Sequence, residues 1–173
     1  MLVVFSGLPG TGKTTLARRL AHQVGAVYVR IDTIEQAILS GGAVEVLGEE
    51  GYRVGYGLAI DNLRSGLIVI ADAVNAVHLT RQAWRDVAKL ADVALLEIMV
   101  ICSDPIEHRN RIETRETDIP GLNLPNWDDI VRREFDAWDK EPVIIDTAGQ
   151  SIEESLTVLK AAFAAQVKAK CAE

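Results

Sequence analysis

The residues best suited to chemistry lie near the start of the chain. Gly7-Leu8-Pro9-Gly10-Thr11-Gly12-Lys13-Thr14 meets the pattern G-x-x-x-x-G-K-[ST] at each fixed position. Glycines at these places let the backbone wrap closely and aim its N–H groups at phosphate oxygens. A helix starting at Lys13 adds the favourable dipole of its N-terminus. Lys13 can reach the β- and γ-phosphates of a nucleoside triphosphate. Thr14 can offer its hydroxyl to Mg²⁺, which keeps most of its waters and takes few protein ligands. The phosphate contacts are expected from Gly7, Pro9, Gly10, Thr11, Gly12, Lys13, Thr14 and Thr15.

Two carboxylates follow at the ends of apolar runs. Asp32 comes directly after Ala26–Ile31, and Asp72 directly after Leu67–Ala71. In a parallel sheet, ligands sit beyond the carboxyl ends of the strands, so both fall beside the glycine-rich loop. Asp32 is also placed to cap the next helix. Asp72 suits either a metal-bound water, as an aspartate at the end of a buried strand does, or the start of a turn. Arg109, Arg111 and Arg115 occupy one helix, with Arg111 and Arg115 an i,i+4 pair. They suit either phosphate binding or a solvated face with local ion pairs such as Glu107–Arg111.

Strand-length apolar runs alternate with longer amphipathic stretches, which predicts βαβ units around a mainly parallel sheet. Strands are expected at 2–5, 26–31, 67–71, 93–101 and 143–145. Helices are expected at 13–24, 32–40, 52–64, 81–90, 104–117, 127–138 and 151–168. Gly55 and Gly57 weaken the third helix on propensity, and Thr80 is a candidate cap for the fourth. Residues 41–51 read as a glycine-containing acidic loop. Residues 118–126, with Pro120, Gly121 and Pro125, read as a mobile loop. No repeat, low-complexity tract or linker divides the chain, so residues 1–173 are expected to form one domain.

Composition narrows the function classes. The chain has 173 residues, 49% hydrophobic and 25% charged, with a formal net charge of -7. An acidic chain is a poor match for a nucleic-acid backbone, whose binding depends on Lys and Arg. A small ligand is the better expectation. The longest apolar run falls far short of the roughly 18 residues that span a bilayer. The opening Met1–Ser6 lacks a basic leader and a cleavage site and reads as a strand. Cys102 and Cys171 have no metal or disulfide spacing and are expected as free thiols in the cytoplasm.

The loop within the first ten residues, followed by Asp32 after the second strand, resembles the small P-loop kinases. That group includes gluconate kinase, shikimate kinase, adenylylsulfate kinase, chloramphenicol phosphotransferase and the kinase domain of polynucleotide kinase. The pattern is most similar to bacterial AAA family ATPase or adenylylsulfate-kinase-like proteins. Their G-L-P-G-[ST]-G-K-[ST]-T, Asp after strand two, D-A-x-N after strand three and Arg-rich helix before a lid stand here as Gly7–Thr15, Asp32, Asp72-Ala73-Val74-Asn75 and Arg109–Arg115. The resemblance implies a three-layer α/β fold with a five-stranded parallel sheet in the order 2-3-1-4-5. It implies ATP with Mg²⁺ as donor, and a lid over about 109–126 bearing the three arginines. Asp32 would act as base or orienter for a substrate hydroxyl, and the Asp146–Gly149 loop would border the adenine. ATP rather than GTP rests on this likeness, and no N-K-x-D guanine motif is found.

One departure matters. Several relatives carry Asp-x-x-Arg where this chain has Asp32-Thr33-Ile34-Glu35. Glu35 reverses the charge and disfavours an anionic acceptor. The leading expectation is a kinase acting on a small-molecule hydroxyl. The alternatives are a polynucleotide or RNA-end kinase, which the acidic balance and Glu35 disfavour, and a nucleotide-driven switch without a small-molecule acceptor. The acceptor and the oligomeric state are not written in the sequence.

Overall fold

A computed structural model describes residues 1–42 and 46–171. Part of the expected 41–51 loop, residues 43–45, lies outside the described residues, as does the side chain of Cys171. Five strands form one parallel sheet: β1 (Leu2–Ser6), β2 (Val27–Arg30), β3 (Val69–Asp72), β4 (Leu95–Ile101) and β5 (Val143–Asp146). Their order is β2-β3-β1-β4-β5, as the resemblance implied.

The central strand shows why the sequence folds this way. Period-two alternation sends Val3 and Phe5 to one face of the sheet and Leu2 and Val4 to the other. All four are buried, as expected of a strand covered on both faces. Val3 and Phe5 pack against Leu16 and Leu20 of α1 (Lys13–Val24) and Leu156 and Leu159 of α7 (Ile152–Cys171). Leu2 and Val4 pack with Ala59 and Leu63 of α3 (Glu50–Arg64) and Trp84 and Val87 of α4 (His78–Leu90). Helices on both faces make the three-layer α/β architecture. The remaining helices, α2 (Ile31–Ser40), α5 (Pro105–Thr114) and α6 (Trp127–Val131), gather at the carboxyl end of the sheet.

Several expected boundaries shift for local physical reasons. Asp32 is not the cap of its helix: α2 starts at Ile31, straight from the strand, and Asp32 sits in the first turn behind an Arg30 that makes no side-chain cap. A carboxylate there still gains from the helix dipole. Helix α3 forms despite its glycines. A Cβ at Gly55 would lie 2.5 Å from Ile31 Cδ1, so this glycine lets α3 press against the start of α2. Helix α4 starts at His78, before Thr80, because the distant Asp136 carboxylate accepts from the His78 N–H at 2.6 Å. Helix α5 begins as expected: Asp104 Oδ1 accepts from the Ile106 and Glu107 N–H groups, with Pro105 in the first turn.

The helix expected over 127–138 stops at Val131. A tertiary contact captures the following segment. Arg81 is 1% exposed and donates from Nη2 to the carbonyls of Asp136 and Ala137, and from Nη1 to those of Asn75 and Ala76. Its guanidinium also lies 4.7 Å from the Trp138 ring centroid. These bonds replace the helical ladder and make Arg81 a structural clamp. Arg85 likewise pairs with Glu97 and Asp139. Arg81→Ala is expected to cost about 2–3 kcal/mol, because it removes four hydrogen bonds from a charged donor. Urea denaturation checks this, and a loss below about 0.5 kcal/mol contradicts the clamp.

Candidate active site

The carboxyl ends of β1, β2 and β3 come together at the register pairs Phe5↔Asp72 and Arg30↔Asp72. The glycine-rich loop leaves β1 there and returns into α1. Its glycines are forced by space as well as by torsion. Gly7 has φ +142°, and a Cβ on it would lie 2.3 Å from the Val100 carbonyl oxygen. Gly10 has φ +82°, and a Cβ would lie 2.6 Å from Ile112 Cδ1 on α5. Gly12, in the left-handed conformation, is the N-cap of α1. Thr11 is buried and donates its hydroxyl to the Leu8 carbonyl at 2.9 Å. Its own carbonyl accepts from the Thr147 hydroxyl at 2.9 Å.

Lys13 and Asp72 form a buried ion pair, Nζ to Oδ1 at 3.0 Å. Tyr28 donates its hydroxyl to Asp72 Oδ2 at 2.6 Å. Burial alone would push the Asp72 carboxyl up. The Lys13 ammonium and the Tyr28 and Thr14 hydroxyls outweigh it and hold the group below the ordinary carboxylate range. Asn75, at φ +50°, bonds the Phe5 carbonyl, the Ser6 hydroxyl and the Trp84 indole, which staples the β3–α4 turn to the loop strand.

A cleft of about 770 Å³ opens over this loop. The residues expected to do chemistry converge on it: Lys13 and Thr14 at its floor, Asp32 on α2, and Arg111 and Arg115 at or just beyond the end of α5. Pro9, Gly10, Gly12 and Thr15 line it too. Arg115 is the C-cap of α5 and extended rather than helical. Its Nε and Nη2 are buried and have no partner among the described residues. Burial lowers its pKa, and the charge of Asp32 opposes that shift. A desolvated cation with free donors suits a phosphate oxygen.

A second pocket of about 270 Å³ lies between the loop and the start of α7, lined by Gly12, Arg111, Thr147 and Gln150. Arg111 reaches it through bonds to the Thr147 hydroxyl at 2.8 Å and the Thr147 carbonyl at 3.0 Å. Of the expected site residues, Gly7, Thr11, Asp72, Arg109 and Gly149 line neither cavity. Arg109 points outward and pairs with Glu113 at 2.7 Å, and the Glu107–Arg111 ion pair named as the alternative also forms, at 2.5 Å, beside the Arg111 bonds to Thr147. Gly149 instead donates its N–H to Glu107 at 2.9 Å, which ties the β5–α7 turn to α5.

The structure adds groups that sequence reading did not single out. Asp118, in the loop after α5, bonds Arg18 of α1 and, at 2.8 Å, Arg30 Nη1 at the end of β2. The two arginines hold its carboxyl down to about 2. A depressed pKa means the latch is complete above the ordinary aspartate value near 4 and is lost as pH falls toward 2. The signal for Tyr28 and Arg30 was available: they alternate with Val29 and so share a face at the carboxyl end of β2. Asp118 had none, since its partners lie 88 and 100 residues away. Asp118→Asn is expected to speed limited proteolysis within residues 116–125 severalfold at neutral pH, with wild type approaching it only as pH falls through about 2. An unchanged cleavage rate would contradict the latch.

Comparison with known proteins fits this geometry. A family profile described as "AAA domain" matches residues 2–137. A "Putative adenylate kinase" from Pyrococcus furiosus is 42% identical over 50 residues, 29% of this chain and 26% of that protein's length. Thus the matched stretch spans about a quarter of that relative. Among solved structures, Kti12 from Chaetomium thermophilum in complex with ADP-AlF3 superimposes with a TM-score of 0.67 at 22% identity, covering 94% of this chain and 97% of that one. A gluconokinase from Sinorhizobium meliloti gives 0.63 at 16% identity, covering 94% and 90%. Identities this low show the shared fold alone. Among the described residues, no helix is long and apolar enough to cross a membrane.

Proposed function

We propose that this chain, which belongs to the AAA domain family, is a phosphotransferase that moves the γ-phosphate of ATP to a hydroxyl of a small molecule. The observation that supports this best is the shared cleft. Asp32, the phosphate loop with Lys13, and Arg115 with two unpartnered nitrogens all line it. A base, a phosphate cradle and a spare cation around one space are what transfer needs.

On this reading the residues from Gly7 to Thr15 hold the β- and γ-phosphates. Asp32 accepts the proton of the acceptor hydroxyl as its oxygen attacks the γ-phosphorus. The bond from that phosphorus to the β–γ bridging oxygen breaks, and ADP leaves with the electron pair. Lys13, Arg111 and Arg115 neutralise charge on the transferring group and the leaving oxygen. Arg109, paired outward, and Gly149, tied to Glu107, are assigned supporting roles at the rim rather than direct contacts. The Thr14 hydroxyl and Asp72 would hold Mg²⁺, which supplies further charge neutralisation when bound. Both Asp72 oxygens already accept hydrogen bonds, so its donor set fits a metal-bound water better than direct ligation.

The test is ADP release with Mg²⁺ across a library of sugars, nucleosides, aminoglycosides and amphenicols. A compound that raises turnover at least about tenfold in wild type, but not in Asp32→Asn, is the expected result. ATP binding with no stimulation by any compound would move the reading to a nucleotide-driven switch.

A further inference from the structure

The cleft lining includes a second carboxylate, Glu35, one turn along α2 from Asp32. Residues three apart on a helix share a face, so the two line the same space. The Glu35 stem is seated against Gly51 of α3. A Cβ on Gly51 would lie 2.2 Å from Glu35 Cγ, so this glycine makes room for the side chain in the wall. The groups that face Glu35 are Asp32 from its own helix, Tyr52 from α3 and Arg133 from beyond α6.

None of these satisfies it. Among the described residues, no hydrogen bond or ion pair within 4.0 Å reaches the Glu35 carboxylate, while Asp32 has Arg30 Nε at 3.8 Å. The Tyr52 phenol is pushed up to about 12 by burial, so it is neutral, and its oxygen accepts from the Asn75 N–H. Arg133 is exposed, and its charge only partly offsets the other influences. Burial first, then the Asp32 charge, raise the Glu35 carboxyl to about 7.

We infer that the acceptor is a cationic alcohol, whose ammonium or guanidinium group sits against Glu35 while its hydroxyl faces Asp32. This deepens the phosphotransferase reading and rests on it. The physical reason is complementarity. A half-buried carboxyl beside a second carboxylate needs either a proton or a cation. A ligand cation supplies the charge and the N–H donors together. An anionic group at this wall would meet two carboxylates, and a neutral polyol would leave Glu35 half-titrated and poorly solvated. Glu35 thereby acts as the specificity-determining residue of the acceptor end. The pH dependence has a defined sign: a proton on Glu35 competes with the ligand cation, so affinity rises as pH rises through about 7 and falls as pH drops through it.

The experiment compares acceptors matched in shape and differing in charge: glucosamine, glucose and gluconate; serinol, glycerol and glycerate; choline and its uncharged carbon isostere dimethylbutanol. Phosphoryl transfer is measured as kcat/KM in wild type and Glu35→Gln from pH 6 to 8.5. The expected result is glucosamine and serinol each favoured over their neutral partners by about tenfold or more in wild type, the scale of one charge-assisted hydrogen bond, and choline, which has charge but no N–H, favoured over dimethylbutanol by less. These ratios should collapse toward one in Glu35→Gln. For choline, whose charge does not titrate, wild-type KM should fall as pH rises through 7, and Glu35→Gln should remove that dependence. Preference for neutral or anionic members, or a cationic preference that survives in Glu35→Gln, overturns the inference and leaves the phosphotransferase reading standing. No transfer to any member of any charge class, nor to any compound of the wider library, removes the phosphotransferase reading and the inference with it.

Discussion

Replacing Lys13 with methionine is expected to lower phosphoryl transfer by about a thousandfold, the largest effect of any single change in this chain. On the proposed mechanism, Lys13 neutralises charge that grows on the transferring group. Loss of one preorganised charge or donor of this kind costs about a hundred- to a thousandfold in turnover. The same change has a structural cost, because Lys13 is the ionic partner of the buried Asp72. Removing one member of a buried pair strands the other and costs about 3–5 kcal/mol. The two effects separate in a double variant. Lys13→Met/Asp72→Asn no longer buries an unpaired charge and should regain most of the lost stability, while its transfer rate stays low. Thermal unfolding and single-turnover transfer, measured on both variants, check this. Activity that returns along with stability would mean that Lys13 acts only through folding.

Replacing Asp32 with asparagine is expected to lower kcat by about a hundred- to a thousandfold while leaving ATP affinity within about twofold. A positioned base contributes about a hundred- to ten-thousandfold. The amide keeps the shape and the hydrogen-bonding reach but cannot take the proton. Asp32 bears no capping duty and no buried ion pair, with Arg30 Nε 3.8 Å away and its own side chain 37% exposed. Stability should therefore move by less than about 0.5 kcal/mol. This clean separation makes Asp32→Asn a sharper probe of chemistry than Lys13→Met. Equal transfer rates in wild type and Asp32→Asn would remove Asp32 as the base.

Much of this account was legible from residue order alone, for reasons that can be named. The strands and the loop position follow from local signals, namely apolar runs, one glycine-rich turn and the helix after it, whereas the strand order came from the family resemblance. Those signals do not depend on distant partners, so β1, α1 and the phosphate loop fell where the sequence placed them. The misplaced boundaries are the ones set across the molecule. The helix after Asn126 ends early because Arg81, about 55 residues back, captures the carbonyls of Asp136 and Ala137. Helix α4 begins early because Asp136 satisfies its first N–H. Pattern reading has no access to such contacts.

The site divides the same way. Lys13, Asp32, Arg111 and Arg115 converge on one cleft because strand ends and one helix end in a parallel α/β fold are brought to one edge. Arg109 sits on that helix yet turns outward to Glu113, since helical spacing puts only some of the three arginines toward the loop. The Asp118 latch and the seat of Glu35 against Gly51 join elements far apart in sequence and became visible only in three dimensions. Glu35 itself could be read as a charge reversal, but its missing partner could not.

Transfer and hydrolysis differ in where the γ-phosphate goes. ATP carrying labelled phosphorus in the γ-position is incubated with Mg²⁺, the chain and the acceptor library, and the label is followed. Label is expected in a phosphorylated small molecule, formed in step with ADP and reduced at least about a hundredfold in Asp32→Asn. Label found solely in inorganic phosphate, at a rate indifferent to every acceptor and to Asp32→Asn, would contradict transfer.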